Sequence, residues 1–486
     1  MANLEELRQA RLQKLNLLKK NGIDPYPAQA RRDFSLSELV EKFEKLASEN
    51  EVVYLAGRVM SMRAQGALIF FDLFDGTGKF QALLKKEDAN AEIFDLFSQT
   101  VDIGDFLEVH GTLFATKRGE KTLQVSGWKM LTKSLLPLPE KWHGLQDTEE
   151  RFRKRYLDIL MNPEIRDLIE KKSKFWQSMR DFFLKEKFLE VETPVLENTT
   201  GGADARPFKT HHNSLDIDVY LRISAGELWQ KRLMVAGFPK VFEIGRIFRN
   251  EGMSAEHLQD YTQLEFYWGY ADYNMGMDLV EKLYKHVAKE TFGKLNFTIG
   301  EHEVDLGKKW EHYDFAETIK KMTGVDVWIA SLKDIEKTLQ TLKVKYDNKG
   351  WNKTRAIDSL WKHCRKQIAG PAFLVNVPVE LEPLAKRRPE NLETVQRFQV
   401  LLAGSEVGKG YSELNDPIDQ AARFEDQAKL RAAGDEEAQM NDREFVEALE
   451  YGMPPTCGFG VSERLFAFLA NKPVHETQIF PLMRPK

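Results

Sequence analysis

The sequence has little cysteine and no long apolar run, and both absences exclude whole classes of protein. Its two cysteines, Cys364 and Cys457, cannot form a disulfide framework and do not stand at the spacing of metal-binding pairs. No apolar run approaches the roughly 20 residues that cross a bilayer. The N-terminal 20 residues carry charges of both signs and contain no apolar signal-peptide segment. We therefore expect a cytoplasmic protein with no membrane segment.

The common signatures of nucleotide binding and covalent catalysis are also missing. There is no Gly-Lys-Ser/Thr phosphate loop, no strand-borne G-x-G-x-x-G and no nucleophile elbow. The net charge of −5 shows no basic surplus of the kind that usually accompanies nucleic-acid affinity. Because a large enzyme can carry a local basic face on an acidic body, this charge neither supports nor excludes RNA binding.

The length and the succession of patterns predict several domains. Within residues 51–135, five short β-like runs with a helical stretch between the third and fourth favour an OB-fold barrel, although other small barrels fit the same pattern. Residues 1–50 are expected to form an N-terminal helical segment, 136–160 a linker, and 161–486 the largest domain.

The largest domain combines helical and strand patterns that predict an α+β fold. Apolar residues at three- and four-residue steps predict a long helix from Ile165 that ends near Phe188. Residues 200–270 are strand-rich, residues 277–370 are mostly helical, and strand patterns return at Ala372. The prediction is an antiparallel sheet flanked by helices, not a doubly wound parallel sheet.

Charged residues within strand-like segments are the candidates for chemistry. Any one of them is most simply a solvated strand face or a structural ion pair. The segment around Arg249 indicates more, because an apolar strand ends there in two arginines, an Asn-Glu pair and a glycine, and His257 follows. Planar guanidinium donors match phosphate oxygens, so this segment predicts phosphate binding. The charged candidates are Glu227, Glu243, Arg246, Arg249, Glu251, Glu265, Glu406, Glu413 and Arg464.

Three segments resemble, in family order, the motifs of the class II aminoacyl-tRNA synthetases. Residues 188–194 resemble motif 1, the dimer-interface element. Residues 249–267, from Arg-Asn-Glu-Gly to Leu-Glu-Phe-Tyr, resemble motif 2, and residues 458–464 resemble motif 3. Three ordered motifs are far more specific than one, and the resemblance covers roughly residues 50–486.

Further segments narrow the resemblance to the lysine–tRNA ligases. They are Gly201-Gly-Ala-Asp-Ala-Arg-Pro-Phe, Tyr220-Leu-Arg-Ile, Phe266-Tyr-Trp-Gly-Tyr and Ser412-Glu-Leu-Asn-Asp. The resemblance implies an OB-fold anticodon-binding domain, a class II catalytic domain and a homodimer. It also implies that ATP and L-lysine form lysyl-adenylate, from which the lysyl group passes to tRNA(Lys).

The same resemblance implies which residues bind ATP and Mg²⁺. Arg249 would contact the α-phosphate and Arg464 the γ-phosphate, which makes these two the catalytic residues. Glu406 would hold Mg²⁺, with Gln399 as a neutral donor where the family usually has an acidic ligand. The full ATP site implied is Arg249, Glu251, His257, Tyr261, Glu406 and Arg464.

Lysine recognition requires carboxylates, because a buried ammonium without a counter-charge is costly. By resemblance, Glu413 binds the ε-amino group, with Tyr267 and Glu227 in support. Glu265 and the backbone of Gly202 serve the α-amino group.

In the N-terminal barrel, Arg63, Phe70 and Gln81 fall where the family reads its uridine-rich anticodon. Stacking and edge hydrogen bonds are the usual means of binding single-stranded bases. The alternation of the strand pattern equally allows Phe70 to be a core aromatic.

Five positions depart from the family pattern. Lys187 replaces the glycine before the motif 1 aromatic, the loop before Glu227 is one residue longer, Gln399 is not acidic, and motif 3 is one residue short and ends in Ser462. Lys409 replaces an asparagine that helps to bind the amino acid. Its ammonium would repel that of a bound lysine. Either Lys409 points toward a phosphate or carboxylate, or the substrate is not lysine.

Two alternative functions are compatible with the sequence. An aspartate– or asparagine–tRNA ligase has the same domain order, but its substrate pocket requires cations and not the acidic Glu227 and Glu413. The second alternative is a different kind of function: a synthetase-derived protein that binds RNA, regulates another process, or attaches lysine to a protein. The N-terminal barrel and the presence of Arg249, Glu406 and Arg464 argue against it.

Overall fold

A computed structural model describes residues 3–139, 147–203, 205–250, 252, 257–346, 351–432 and 438–485. The chain forms two compact units, Met1–Leu157 and Asp158–Lys486. Among the helices of the described ranges, none is long and apolar enough to span a bilayer.

The first unit is built on a closed barrel with strand order β1-β2-β3-β5-β4, which confirms the predicted OB-fold. The predicted helix between the third and fourth strands is α3. The elements of this unit are α1 (Leu4–Lys20), α2 (Leu36–Glu49), β1 (Val53–Gln65), β2 (Leu68–Phe74), β3 (Lys79–Lys85), α3 (Ala91–Thr100), β4 (Phe106–Ala115), β5 (Lys121–Thr132) and α4 (Thr148–Arg153).

Strict alternation along β2 determines which of its side chains fill the barrel. Ile69, Phe71 and Leu73 are buried in the core, while Phe70 is only half-buried. Since successive strand residues point to opposite faces, Phe70 lies on the outer surface of the barrel. This answers the question that the sequence left open, because the core aromatic of this strand is Phe71.

The second unit begins within α5 (Arg155–Met161). Among its described residues, eight strands form one sheet in the order β14-β15-β18-β19-β20-β11-β10-β6. The strands are β6 (Leu189–Glu190), β7 (Leu196–Glu197), β8 (Lys209–His212), β9 (Ile217–Leu221), β10 (Lys240–Phe248), β11 (Asp260–Gly269), β12 (Asn296–Ile299), β13 (His302–Asp305), β14 (Glu311–Asp314), β15 (Ala372–Val375), β16 (Arg387–Arg388), β17 (Asn391–Val395), β18 (Arg397–Leu402), β19 (Ser405–Ser412) and β20 (Thr456–Ser462). The helices are α6 (Pro163–Lys185), α7 (Glu227–Val235), α8 (Tyr273–Phe292), α9 (Phe315–Thr323), α10 (Leu332–Thr341), α11 (Lys353–Cys364), α12 (Pro417–Ala432), α13 (Arg443–Glu450) and α14 (Arg464–Leu469).

The main sheet is antiparallel except at its two outer pairs, β14–β15 and β10–β6. One face packs on α6 and α8, where Leu264 and Phe266 of β11 enter an apolar core. Glu265 and Tyr267, which alternate with these two residues along β11, therefore face the opposite side of the sheet. This arrangement confirms the predicted α+β class and explains how a strand can carry buried carboxylates.

Three segments differ from the sequence predictions. The long helix α6 ends at Lys185, before Phe188, and Lys187 adopts a left-handed φ of 63°. This conformation costs a non-glycine residue about 1 kcal/mol, whereas glycine adopts it without a steric penalty. Helix α7 lies in the segment predicted to be strand-rich. Strands β12, β13 and β14 lie in the segment predicted to be mostly helical. The sequence did not reveal them because a four-residue strand shows too little alternation of apolar and polar residues.

Candidate active site

A cavity of about 1220 Å³ lies against the face of the main sheet that carries Glu265 and Tyr267. It gathers residues from distant parts of the second unit. The predicted site residues that line it are Gly202, Glu227, Arg249, His257, Tyr261, Glu265, Tyr267, Gln399, Glu406, Glu413 and Arg464. Glu251 lies outside the described residues. The predicted anticodon residues belong to the first unit, and their placement is given below.

At one end of the cavity, two carboxylates share a buried lysine. Lys231 Nζ lies 2.7 Å from Glu227 Oε1 and 2.6 Å from Glu413 Oε2. Tyr411 donates its hydroxyl hydrogen to Glu227 Oε1. Burial alone lowers the pKa of Lys231, but the two carboxylates more than offset this and raise its pKa above the usual value, so Lys231 is a cation.

The carboxylate of Glu413 can accept more hydrogen bonds than its described neighbours donate to it. Its side chain is only 1% exposed, and Oε1 has no hydrogen-bond donor among the residues that the structure describes. Burial and the nearby Glu227 raise the pKa of Glu413 well above the usual value, although Lys231 opposes this. A buried carboxylate oxygen without a donor is costly unless a ligand supplies one. Glu413 is therefore suited to bind a cationic group.

Glu265 is the third buried carboxylate of this end. Its Oε1 accepts hydrogen bonds from the backbone N–H of Ala225 at 2.8 Å and from Gln263 Nε2 at 2.6 Å. Its Oε2 accepts one from the Tyr267 hydroxyl at 3.2 Å. Burial, with a further contribution from Glu227, raises the pKa of Glu265 to about 7. This carboxylate can thus gain or lose its proton near neutral pH.

The charges at this end do not cancel. When all three are ionised, Glu227, Glu265 and Glu413 contribute three negative charges and Lys231 one positive charge, which is a surplus of two. Without a ligand, the raised pKa values of Glu265 and Glu413 mean that bound protons offset part of this surplus. Buried surplus charge of this size requires counter-charges. A ligand with two ammonium groups supplies both.

Glycines make room for this cluster. Gly202 has a φ of +87°, and a Cβ there would stand 2.6 Å from Glu227 Cβ. Across the sheet, Gly460 pairs with Glu265 and Gly458 pairs with Tyr267, so no side chain opposes either residue on β20. A ligand can therefore reach the carboxylates.

The other end of the cavity carries arginines. Arg249 Nε donates to the Ile223 carbonyl oxygen at 3.2 Å, and its guanidinium carbon lies 5.8 Å from the centre of the Tyr261 ring. Arg464 Nη2 lies 3.4 Å from Ser405 Oγ. Burial lowers the pKa of Arg464 to about 10, which leaves it charged at neutral pH. Two cations and an aromatic ring suit a nucleotide phosphate chain and its base.

The residues predicted to hold Mg²⁺ are each engaged with a neighbour. Glu406 Oε1 accepts from Trp361 Nε1 at 2.7 Å, and Gln399 Oε1 accepts from Arg397 Nη2. Within the described ranges, no three His, Cys, Asp or Glu side chains stand together as a metal-binding group. One available carboxylate does not make a protein cage for Mg²⁺. It does fit an ion that keeps water and substrate phosphates as its other ligands.

Lys409 points to a carboxylate, which is one of the two outcomes that the sequence left open. Its Nζ lies 3.2 Å and 3.1 Å from the two carboxylate oxygens of Glu382. Glu382 is buried and also pairs with Arg397 Nε at 3.1 Å.

Sequence reasoning missed several residues that line the cavity or, like the buried Lys231, lie behind its lining. Lys231 could have been predicted from the sequence, because it stands four residues after Glu227 and so lies on the same face of α7. Tyr411 shares a strand face with Lys409, which could have placed it in the cavity. Glu382 and Trp361 had no such signal, since neither stands in a periodic pattern that points to the site.

In the first unit, the three predicted anticodon residues lie on adjacent strands. Arg63 pairs with Phe70 across β1 and β2, and Gln81 pairs with Asp72, two residues along from Phe70. All three therefore share the outer face of the barrel, where Arg63 is exposed and the other two are half-buried. A cation, an aromatic ring and an amide on one open surface match what single-stranded bases require.

Comparisons with known proteins place these features in a family. A family model described as class II tRNA synthetases (D, K and N) matches residues 147–484, and one described as an OB-fold nucleic acid binding domain matches residues 53–131. Relatives named lysine–tRNA ligase include those of Thermotoga maritima, 42% identical over 99% of this chain and 97% of that protein. Another is from Halalkalibacterium halodurans, 43% identical over 99% of this chain and 98% of that protein.

Proposed function

We infer that this chain, which belongs to the class II tRNA synthetases and within them to the lysine–tRNA ligases, activates L-lysine with ATP and joins it to tRNA(Lys). The observation that carries this proposal is the surplus of two negative charges among Glu227, Glu265, Glu413 and Lys231. Lysine is the standard amino acid that pairs an α-ammonium with a flexible terminal ammonium. An aspartate pocket would require the opposite charge, so the cluster disfavours that alternative.

The first reaction step forms a bond between an oxygen of the lysine carboxylate and the α-phosphorus of ATP. The bond from that phosphorus to the bridging oxygen breaks, and pyrophosphate leaves. The protein contributes position and charge more than covalent chemistry. Arg249 lies 5.8 Å from the Tyr261 ring and its charge acts on Glu265, so we assign it to hold the lysine carboxylate and the α-phosphate together. Arg464 is suited to the departing phosphates.

In the second step a terminal ribose hydroxyl of tRNA attacks the carbonyl carbon of lysyl-adenylate, and AMP leaves. The amino acid must stay fixed while the nucleotide part changes. We assign Glu413 to the ε-ammonium, with Tyr267 and Glu227 beside it. Glu265 and the Gly202 backbone are assigned to the α-ammonium.

We propose that Glu406 would hold Mg²⁺ when ATP is bound, and the ion would supply positive charge that offsets the phosphates. The hydrogen bond from Trp361 to Glu406 Oε1 fixes the orientation of this carboxylate. Gln399, turned to Arg397, is the weaker donor. His257 and Tyr261 complete the nucleotide site, and Glu251 is assigned to it by resemblance alone.

We propose a cytoplasmic homodimer with the anticodon-binding barrel at 51–135, a linker at 136–160 and the catalytic domain from 161. Residues 188–194, which resemble the dimer element of the family, support the dimer. So does the exposure of Leu189, Val195 and Leu196 in and beside this segment, each at 41% or more. Apolar side chains exposed together favour burial against a second copy.

The proposed function is tested by charging tRNA with radiolabelled lysine in the presence of ATP and Mg²⁺. We expect acid-precipitable label that depends on the lysine anticodon of the tRNA. Label that appears equally with tRNAs of other anticodons would contradict the assignment of tRNA(Lys). Adenylate formation without any charging would contradict the second step.

The outer face of the barrel yields a prediction for Phe70. Replacing Phe70 with Ala removes the ring available for base stacking, which is worth about 1–3 kcal/mol per base. The KM for tRNA should rise about tenfold to a hundredfold. Pyrophosphate exchange without tRNA should not change, because Phe70 is outside the catalytic unit. An unaltered KM for tRNA would exclude Phe70 from the anticodon site.

The pKa of Glu265 predicts how lysine binding depends on pH. Lysine pairs with the ionised carboxylate, so below the pKa of about 7 a proton must leave before the ion pair forms. The Kd for lysine should therefore rise as the pH falls below 7, by up to about tenfold per pH unit. Calorimetry in buffers of different ionisation enthalpy should detect proton release near pH 6. Binding without proton release at that pH would contradict the assignment of Glu265.

A further inference from the structure

Two protein ammonium groups lie beside the ring of Tyr411, which lines the amino-acid end of the cavity. Lys231 Nζ is 5.4 Å and Lys409 Nζ is 5.9 Å from the centre of the Tyr411 ring, and the Tyr411 hydroxyl bonds to Glu227. A bound lysine brings two more ammonium groups to this end of the cavity. Unless the protein cations are neutralised, they repel these groups.

Lys231 is neutralised by the carboxylates already described, but Lys409 has a different counter-ion. Glu382 contacts Lys409 with both carboxylate oxygens, at 3.2 Å and 3.1 Å. The Glu382 side chain is 4% exposed, whereas that of Lys409 is 36% exposed. The carboxylate is thus the fixed partner, and the ammonium would be free to turn into the cavity if Glu382 lost its charge.

The register of the sheet shows why the direction of Lys409 matters. Lys409 on β19 pairs with Gly460 on β20, and Gly460 pairs in turn with Glu265 on β11. These residues form one row across the strands, with a glycine between the lysine and the carboxylate. An unrestrained Lys409 side chain could extend over Gly460 toward Glu265 and occupy the place assigned to the substrate's α-ammonium.

We propose that Glu382 is a specificity-determining residue, which offsets the charge of Lys409 and holds its ammonium away from the acidic cluster so that the site accepts lysine. This rests on the proposed function and deepens it. Glu382 acts through Lys409 and is a positioning residue. Where the resemblance implies a neutral asparagine, this chain has the ion pair of Lys409 with Glu382.

Glu382→Gln tests the proposal because it keeps the shape of the side chain and removes its charge. We expect the KM for lysine to rise about thirtyfold to three-hundredfold in pyrophosphate exchange, as follows from like charges some 5–8 Å apart at an effective dielectric constant of about 20. The KM for ATP should stay within about threefold. As a matched control, Glu393→Gln removes an exposed carboxylate from β17 and should leave both KM values unchanged.

The double variant Glu382→Gln, Lys409→Asn separates this role from a structural one. If Glu382 acts on Lys409, removal of the ammonium should restore the KM for lysine to within about threefold of the original value. If the KM stays high, Glu382 acts through its other partner, Arg397, and the proposal is overturned. An unchanged KM in the single variant also overturns it.

A further variant distinguishes a folding defect from the proposed role of Glu382. Should Glu382→Gln not fold, Glu382→Asp retains the charge but shortens its reach, and we expect a smaller rise in the KM for lysine with the same rescue by Lys409→Asn. If the unaltered protein does not use lysine at all, the proposed function fails. If it uses lysine and the rescue fails, only the role of Glu382 is refuted.

Discussion

Replacement of Arg249 by Ala should lower kcat/KM for lysine-dependent pyrophosphate exchange about a thousandfold, or ~4 kcal/mol. We propose that the guanidinium lies where the lysine carboxylate and the α-phosphate meet, where its positive charge offsets the repulsion between these two negative groups. The loss should appear mostly in kcat, because the charge on the reacting phosphate is largest in the transition state.

Arg246 provides the matched control for this change. It lies three residues earlier on β10, is exposed, and pairs with Asp260 outside the cavity. Arg246→Ala should leave exchange within about threefold of the original value. Arg249→Ala with activity near that of this control would show that Arg249 is not the phosphate ligand.

Replacement of Glu413 by Gln should raise the KM for lysine about a hundredfold to a thousandfold. The change removes one of the two surplus negative charges and the carboxylate oxygen that has no donor among the described residues. Lys231 keeps Glu227 as its counter-ion at 2.7 Å, which should preserve the fold. The KM for ATP should change little, since we assign the nucleotide to the other end of the cavity.

A control for Glu413→Gln is Glu447→Gln, which neutralises an exposed residue of α13 and should not affect lysine use. The melting temperatures of both variants should be measured beside their KM values. A Glu413 variant that is folded and still has the original KM for lysine would remove Glu413 from the amino-acid site.

The sequence was sufficient for the fold class and for the candidates from β11, β19 and β20. Alternation on β11 separates Glu265 and Tyr267 from Leu264 and Phe266, and glycines at 458 and 460 make room opposite the two polar residues. Such features depend only on the order of neighbouring residues along one strand. They can be recognised before any tertiary contact is known.

The pairing of charges could not be predicted in the same way. Glu227 and Lys231 share a helical turn, but Glu413, which directly follows β19, lies 182 residues after Lys231 in the chain. Lys409 and Glu382 are separated by 27 residues and by the whole of β18. Since a counter-ion is chosen by three-dimensional proximity, the sequence left the direction of Lys409 undecided.

Local backbone signals were also incomplete. The replacement of glycine by Lys187 was readable as a departure, but its consequence, a left-handed φ of 63° after α6, required the structure. For Phe70, the pattern Leu-Ile-Phe-Phe allowed either aromatic to face the core. The register of β2 with β1 and β3 places Phe71 inside and Phe70 outside.

The central claim is that the acidic end of the cavity selects an amino acid with two ammonium groups. The most direct test is ATP–pyrophosphate exchange measured separately with each of the twenty amino acids. The arrangement of Glu227, Lys231, Glu265 and Glu413 predicts exchange with lysine and background rates with all the others. Exchange driven by a neutral or acidic amino acid, or no exchange with lysine, would contradict it.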